Sequence, residues 1–187
     1  MQILENKIFE KSNSNEFEKA EYYNCQFIEI DFSSYNFSGF KFIECEFVEC
    51  NLSLSNPNNA FFQGVNFIGC KMLGIHFEYV NSFGLEWNFE TCVINHASFF
   101  QMKLKGISFE NCQLQEVDFS EADLTGASFL GCDLTNALFD QTNIENADFR
   151  TSTNYIIDPD KNNLKKAKFS LSGLPGLLMK YGISITY

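Results

Sequence analysis

The chain has 187 residues, enough for one domain with a sizeable core, and its formal net charge is −11. Acidity disfavours direct binding to nucleic acid or anionic membranes, because both need clustered Lys and Arg. Residues 1–17 hold no basic stretch followed by an apolar run, and we find no membrane-spanning segment. We therefore expect a cytoplasmic protein with no nucleic-acid or membrane partner.

In chain order, residues 1–16 form an expected N-terminal cap, in which residues 2–9 could be a strand against the first coil. A large apolar residue, here called a centre, then recurs every fifth position over residues 17–150. Its phase shifts by two residues between Phe77 and Phe89, and Pro57 stands at one centre. The period matches neither a helix nor an ordinary strand.

A smaller residue stands two positions before most centres, as in the unit from Ala122 to Gly126. Residues two apart point to the same side of an extended strand. Each unit therefore predicts a short strand that turns two side chains inward, followed by a corner. The whole region predicts a narrow coil with large and small residues inside.

The seven cysteines all stand two positions before a centre, which predicts buried core thiols rather than disulfides. Metal binding is disfavoured, since there is no CxxC motif and both histidines, His76 and His96, fall at outward positions. We expect no cofactor and no metal. The cysteines are Cys25, Cys45, Cys50, Cys70, Cys92, Cys112 and Cys132.

Four sides per coil is the simplest arrangement of these units. Several cysteines are spaced by 20, and four sides would stack Phe99, Phe119 and Phe139 directly on one another as a continuous core ladder. Stacked parallel strands about 4.8 Å apart would then make a rod of roughly 33 Å.

Two stretches interrupt the pattern. Residues 55–60, SNPNNA, have turn-forming composition, and residues 78–88 contain the phase shift. Both are candidate loops. Tyr79 and Phe83 either form an outward contact site or fold back onto the rod, whereas Trp87 falls at a small-residue position, which favours packing.

The units Ala122 to Gly126 and Ala147 to Arg150 resemble those of pentapeptide-repeat proteins, whose motif is small, Asp/Asn, Leu/Phe, polar, variable. The resemblance covers most of the chain. It implies an all-β fold, a right-handed quadrilateral β-helix with a short C-terminal helix and strand.

Length, phase shift and tail further resemble the Qnr quinolone-resistance proteins and the microcin immunity protein, which act on DNA gyrase. In those relatives a tail like residues 151–187 joins two rods into a dimer. This chain departs from them at Tyr35 and Phe40, which stand at small-residue positions, and in its own loop sequence, so their loop contacts do not transfer.

Residues 172–181 predict a short helix, with Ser172 as a candidate cap and Gly182 as its end. Leu174, Leu177, Leu178 and Tyr181 form an apolar stripe on it. The stripe either caps the last coil or forms a two-fold dimer seam in which the final ISITY pairs by its edge; the resemblance favours the homodimer.

Charge is uneven along the chain. Residues 17–150 hold 19 acids and 6 bases, whereas residues 151–187 hold 2 acids and 5 bases. The candidate contact acids are Asp118, Glu121 and Asp140, on the side of Phe119 and Phe139. Ordinary solubility explains the acidity equally well.

An enzyme is disfavoured, because no catalytic motif is present and a convex rod offers no obvious pocket. The resemblance implies a binding protein whose acidic rod mimics DNA on a type II topoisomerase and modulates sensitivity to quinolones or toxins. The alternative is a structural or adaptor module for another protein partner.

Overall fold

The computed structural model describes residues 1–11, 17–184 and 186. They form a right-handed, four-sided parallel β-helix with a short C-terminal helix, which confirms the predicted fold class. The strands are β1 (Gln2–Glu5), β2 (Ile8–Glu10), β3 (Ala20–Tyr23), β4 (Gln26–Ile28), β5 (Lys41–Ile43), β6 (Glu46–Val48), β7 (Phe61–Gln63), β8 (Asn66–Ile68), β9 (Asn88–Glu90), β10 (Ser108–Glu110) and β11 (Ser128–Leu130).

The strands form two parallel sheets on neighbouring sides of the rod. The first sheet has the order β1-β3-β5-β7, and the second has the order β2-β4-β6-β8-β9-β10-β11. Phe27 pairs with Phe47 and Phe47 with Phe67, and the side chains of Gln26 and Glu46 are hydrogen-bonded across a separation of 20 in the sequence, which is the length of one coil. Isolated parallel bridges continue the coils on the remaining sides. The four-sided prediction is therefore confirmed.

The core of the second sheet is an unbroken ladder of stacked phenylalanines. Phe89 and Phe109 have ring centroids 5.0 Å apart, and Phe129 and Phe149 are 4.7 Å apart. A parallel ladder contains Phe99, Phe119 and Phe139, with successive centroids 5.3 Å apart. Like residues stack because each coil repeats its side chains in register with the next. The first ladder comprises Phe9, Phe27, Phe47, Phe67, Phe89, Phe109, Phe129, Phe149 and Phe169.

The corners use left-handed backbone two positions after most centres. Asn111 has φ 54° and Glu121 has φ 57°, in a region that Asn and Gly enter most readily. At Gly131, φ is 70° and an added Cβ would lie 2.3 Å from the Asn111 side-chain oxygen. The corner at Gly131 therefore accepts a larger residue only if Asn111 moves.

The solenoid extends beyond the sequence repeat at both ends. Leu4 pairs with Tyr22 and Phe9 with Phe27, and the first coil is shorter than the others, with a sequence separation of 18 rather than 20. At the far end Asp148 bridges Lys168, and Phe169 stacks on Phe149. Residues 12–16, part of the expected N-terminal cap, lie outside the described residues.

Residues 55–60 follow the path of the solenoid. Asn56 bridges Asn36, Pro57 is buried, and the Ala60 N–H donates to the Pro57 carbonyl. The turn-forming composition therefore makes regular corners here, because each coil already requires tight turns. The buried ring of Pro57 takes the place of the usual large centre.

The phase shift lies in a real excursion. A 3-10 helix spans Phe77–Tyr79. Phe67 pairs with Phe89 across this coil, so the sequence separation between paired positions rises to 22. Trp87 is 3% exposed, and its Nε1–H donates to the Phe62 carbonyl oxygen at 2.9 Å. The indole thus replaces a strand hydrogen bond that the excursion removes.

The C-terminal helical segment consists of a 3-10 turn at Leu171–Gly173, helix α1 at Pro175–Leu178 and a 3-10 turn at Met179–Tyr181. Its cap is Ser170, whose side chain accepts the Gly173 N–H, rather than Ser172. It ends at Gly182 in left-handed conformation. Of the predicted final strand, Ile183, Ser184 and Thr186 have no regular structure, and Ile185 and Tyr187 lie outside the described residues.

In the described part of the chain, none of the helical segments has the length and apolar character of a membrane span.

Candidate functional site

The interior of the rod is built for packing. All seven cysteines are free and buried, and each thiol lies close to a carbonyl of the preceding coil, as Cys112 Sγ does to the Phe89 oxygen at 3.5 Å. Burial raises the pKa of the Cys45 thiol to about 12, so it stays protonated near neutral pH. Thr142 and Ser152 donate hydroxyl hydrogen bonds in the same way near the C-terminal end.

The two histidines lie on the surface, each beside a glutamate. His76 Nδ1 is 2.9 Å from Glu78 Oε1, and His96 Nδ1 is 3.2 Å from Glu116 Oε2. Within residues 1–11, 17–184 and 186, no group of three or more His, Cys, Asp or Glu side chains could hold a metal ion.

Of the three acids predicted as a contact surface, Glu121 and Asp140 are neighbours on adjacent coils, and Asp118 precedes Glu121 by three residues on the same coil. The Glu121 N–H donates to the Asp140 carbonyl, and the Glu121 side chain accepts a hydrogen bond from Gln101 at 2.7 Å. Lys161 lies 3.4 Å from the Asp140 carboxylate. The tail therefore brings a base onto a side on which the repeat alone has none.

A larger acidic surface lies on the second sheet, which the sequence interpretation did not single out. We call the outward side chains from β2 to β11, with the corner residue after each strand, the acidic sheet face. Among the described residues of this face, Lys11 is the one basic side chain, and its Nζ lies 3.1 Å from the Glu29 carboxylate. The grouping depends on coils of unequal length, with sequence separations of 18, 20 and 22 between paired positions, so a fixed period does not reveal it. The acids are Glu10, Glu29, Glu46, Glu49, Glu90 and Glu110.

The two loop aromatics point outward. Tyr79 is 58% exposed and Phe83 is 71% exposed. Phe83 stacks over Phe61 with centroids 6.2 Å apart, and Tyr79 stacks against His76 at 5.7 Å. Each ring therefore packs against a neighbouring side chain and leaves more than half of its surface exposed, and a role as a contact site stays a prediction.

The excursion also creates a groove of about 600 Å³ on the side of the first sheet. One wall is the excursion and the other is the following coil, from Phe100 to Lys103. Buried or partly buried apolar side chains, those of Val80, Leu85 and Met102, line it. This is the concave surface that the repeat pattern did not predict.

The C-terminal segment presents a second apolar surface. Leu177 packs against the core, whereas Leu174 is 38% and Tyr181 is 56% exposed. Leu178 is partly buried. The predicted stripe is thus divided: Leu177 packs on the rod, Leu178 is partly buried, and Leu174 and Tyr181 are exposed. Lys180 holds the segment in place through ion pairs with Asp158, at 2.5 Å, and with Asp160.

Fold and surface together define a repeat scaffold with a packed interior and candidate binding surfaces on its outside. Two family models match it: "pentapeptide repeats (8 copies)" over residues 45–78 and "pentapeptide repeat region" over residues 85–149, together more than half of the chain. The chain belongs to the pentapeptide-repeat family, whose members are in general non-catalytic structural or binding proteins. No curated protein sequence matches it.

Solved structures are similar across most of the chain. A trypsin-treated variant of QnrB1, a plasmid-mediated fluoroquinolone resistance protein, is 20% identical with a TM-score of 0.59, over 99% of this chain and 98% of that one. HetL from the cyanobacterium Nostoc sp. strain PCC 7120, involved in heterocyst differentiation regulation, is 14% identical with a TM-score of 0.67, over 91% and 85%. At these identities the likeness establishes the fold.

Proposed function

We propose that this protein is a non-enzymatic binding protein whose acidic rod occupies the DNA-binding surface of a type II topoisomerase such as DNA gyrase. It would act as a DNA mimic and modulate sensitivity to quinolones or peptide toxins. The observation that carries the proposal is the acidic sheet face along the rod. Similarity in fold to a fluoroquinolone resistance protein adds support.

Size and charge fit this role. At about 4.8 Å per coil, the ladder from Phe9 to Phe169 gives a rod of roughly 38 Å. Duplex DNA of that length carries about 22 charges. Residues 9–169 hold 23 acids and 11 bases, and this excess of 12 negative charges is about half of that number. A basic channel would attract such a rod without base-specific contacts.

The acidic sheet face is our main candidate for the contact surface. Glu90 and Glu110 stand outward on adjacent strands, and neither forms an ion pair with a described residue. The group of Asp118, Glu121 and Asp140 is the second candidate, weakened by Lys161 beside Asp140. Tyr79 and Phe83 would add apolar contacts from the loop.

Dimerisation through the C-terminal segment would double the length of the rod. Exposed side chains there include Leu171 at 81%, Met179 at 59% and Tyr181 at 56%. With Leu174 and Leu178 they form an apolar surface at the end of the rod, where a two-fold contact would join two solenoids end to end. Sedimentation velocity would detect the dimer, and a monomer at micromolar concentration would count against it.

The direct test is a supercoiling titration of purified DNA gyrase, with and without a fluoroquinolone. We expect inhibition at micromolar protein or protection from the drug. A triple variant, Glu46→Lys, Glu90→Lys and Glu110→Lys, should lose the effect, and the matched Asp118→Lys, Glu121→Lys, Asp140→Lys variant tests the second surface. If wild-type protein leaves several type II enzymes unaffected, the topoisomerase proposal is wrong.

The second candidate function is a structural or adaptor module for another protein. The exposed loop aromatics favour it, because Phe83 at 71% exposure is a contact group that charge mimicry does not need. Deleting residues 81–85 would discriminate: loss of topoisomerase effects with a folded rod would favour the first function and place its contact partly in the loop.

A further inference from the structure

The first sheet lacks one rung where the chain makes its excursion. Strand order β1-β3-β5-β7 stops at Phe61–Gln63, and bridges on this side resume only with Lys103 and Asp123. Between them lies the excursion rather than a strand. The groove of about 600 Å³ occupies the position next to Lys103.

The main-chain hydrogen bonds on the two sides of the missing rung differ. On the β7 side, the Ala60 carbonyl accepts from the Asn81 N–H and the Phe62 carbonyl from the Trp87 indole. On the opposite side, the Lys103 N–H has no acceptor in the part of the chain that the structure describes. One coil later, the corresponding Asp123 N–H donates to the Met102 carbonyl. Lys103 therefore offers a donor that a regular neighbouring strand would use.

A carboxylate lies in the wall of the same groove. Glu78 is held through Oε1 by His76, whereas Oε2 is shielded from solvent and finds no hydrogen-bond partner among the described residues. A shielded carboxylate oxygen without a donor is costly, and a nearby cation would relieve that cost. Arginine suits such a site because its guanidinium carries several donors in a fixed plane.

The walls between these two polar groups are apolar. Val80 and Met102 are each 7% exposed, and Leu85 packs partly against the core. They offer room for an apolar side chain beside the main chain of a ligand. Lys103 itself is exposed, so its ammonium group remains in water rather than in the groove.

We propose that this groove binds an extended, arginine-containing peptide segment of a partner protein, which supplies the missing rung of the first sheet. Its carbonyl accepts the Lys103 N–H, its arginine lies against Glu78, and an apolar side chain packs on Val80, Leu85 and Met102. Strand addition of this kind gives affinity through the main chain and specificity through the side-chain pockets.

A second copy of this chain is a poorer occupant. Its basic stretch, from Lys165 to Lys168, already belongs to the last coil, where Lys168 bridges Asp148. The remainder of the rod is acidic and would repel the acidic excursion. The ligand therefore comes from a different protein.

The test measures fluorescence anisotropy of labelled, end-blocked pentapeptides with the intact protein. Val-Arg-Val-Arg-Val should bind, and Val-Glu-Val-Glu-Val should bind at least about tenfold more weakly. The Glu78→Gln variant should lose about tenfold in affinity for the arginine peptide. The matched control is Glu116→Gln, which removes a histidine-paired glutamate outside the groove and should bind like wild type.

A further peptide, N-methylated along its backbone, tests the strand. The methyl groups keep the peptide main chain from approaching that of Lys103 closely enough to pair with it, and binding should weaken by about tenfold or more. Circular dichroism and emission from buried Trp87 verify folding of each variant. Equal binding to wild type and Glu78→Gln, equal losses in both glutamine variants, or equal binding of free arginine and the peptide would each overturn the proposal. None of these outcomes depends on topoisomerase activity.

Discussion

The coils before and after the excursion reach the same cross-section with different cores. Before it, aromatic ladders stand on two neighbouring sides, as Phe42 stacks on Phe62 at 5.0 Å and contacts Phe47 edge-on at 5.2 Å. After it, ladders such as Phe109 on Phe129 alternate with columns of leucine and isoleucine. Vertical stacking of like residues, rather than a particular composition, holds each column together.

The backbone differs in parallel with the core. Early coils form strands of three or four residues on two sides, and a β-branched residue often follows the centre, as Ile43 does in β5. In later coils the side of the first sheet has only isolated bridges. There Asp123 Oδ1 accepts hydrogen bonds from the Thr125 N–H at 3.2 Å and its hydroxyl at 2.5 Å, which turns the chain at once. Strand length therefore reflects the local side chains, while the coil itself is unchanged.

The largest effect is expected on removing one ring of the ladder from Phe9 to Phe169, once before the excursion and once after it. We expect Phe47→Ala and Phe109→Ala each to lower the free energy of unfolding by about 3–5 kcal/mol, because both rings are fully buried between neighbours. Urea denaturation followed by circular dichroism measures this. Leu130→Ala, on an outward position of the same sheet, is the control. A loss confined to one region would mean that the ladders are not equivalent.

A smaller loss of stability is expected at the excursion, which joins the early coils to the later ones. Trp87→Phe removes the indole N–H that the Phe62 carbonyl accepts, at a cost of about 1–3 kcal/mol. Since coils contact only their neighbours, a weaker junction should also separate the unfolding of the two regions. Calorimetry should then resolve two transitions where wild type has one. A single transition at unchanged temperature would show that the indole does not couple them.

The column of small residues gives a third test. Toward the C-terminal end, Thr142 and Ser152 replace cysteine and make the same bond to a carbonyl of the preceding coil. Cys112→Ser should therefore cost only about 1 kcal/mol, because its hydroxyl can donate to the Phe89 oxygen. Cys112→Val, which has no donor, should cost more in the same denaturation assay. The reverse order would indicate that packing alone decides this column.

The smallest effect concerns pH in the later coils. Burial acts to raise the pKa of Asp133, but hydrogen bonds donated by Thr135, Gln115 and Asn154 outweigh it and lower the pKa to about 2. Its contribution is thus fully present above the ordinary value of 3.8 and is lost as pH falls through about 2. Denaturation midpoints measured between these values should fall less for Asp133→Asn than for wild type. Parallel curves would contradict the assignment.

Much of the fold could be predicted because the repeat encodes it directly. The regular spacing of cysteines and the alternation from Phe99 to Phe139 predict four sides, and the ladders confirm them. Residues 2–9 were expected as one strand against the first coil, and they instead begin a further coil with two strands, β1 and β2. The pattern did not predict this coil because Leu4 and Phe9 pair with Tyr22 and Phe27 across a shorter sequence separation, 18 instead of 20. Its centres are out of phase with the series that follows, so periodicity alone cannot find them.

The surfaces were less predictable, because they depend on contacts between coils. The ion pair of Lys161 with Asp140 requires the register of the tail, which the five-residue motif does not contain. The groove beside Glu78 requires the path of the excursion, for which the motif gives only a change of phase. For Tyr79 and Phe83 the sequence left exposure and packing onto the rod as alternatives, because the motif does not give the partners of rings in the excursion.

The longer coil at the excursion, where paired positions are separated by 22 rather than by 20, has an evolutionary consequence. The additional length is absorbed within one coil, and the next pairs of strands resume without error. Duplication or loss of one whole coil would likewise change the reach of the protein by about 4.8 Å and leave every other coil intact. The length of the rod can thus change in evolution by whole coils, while a loop inserted in one coil evolves independently of the others.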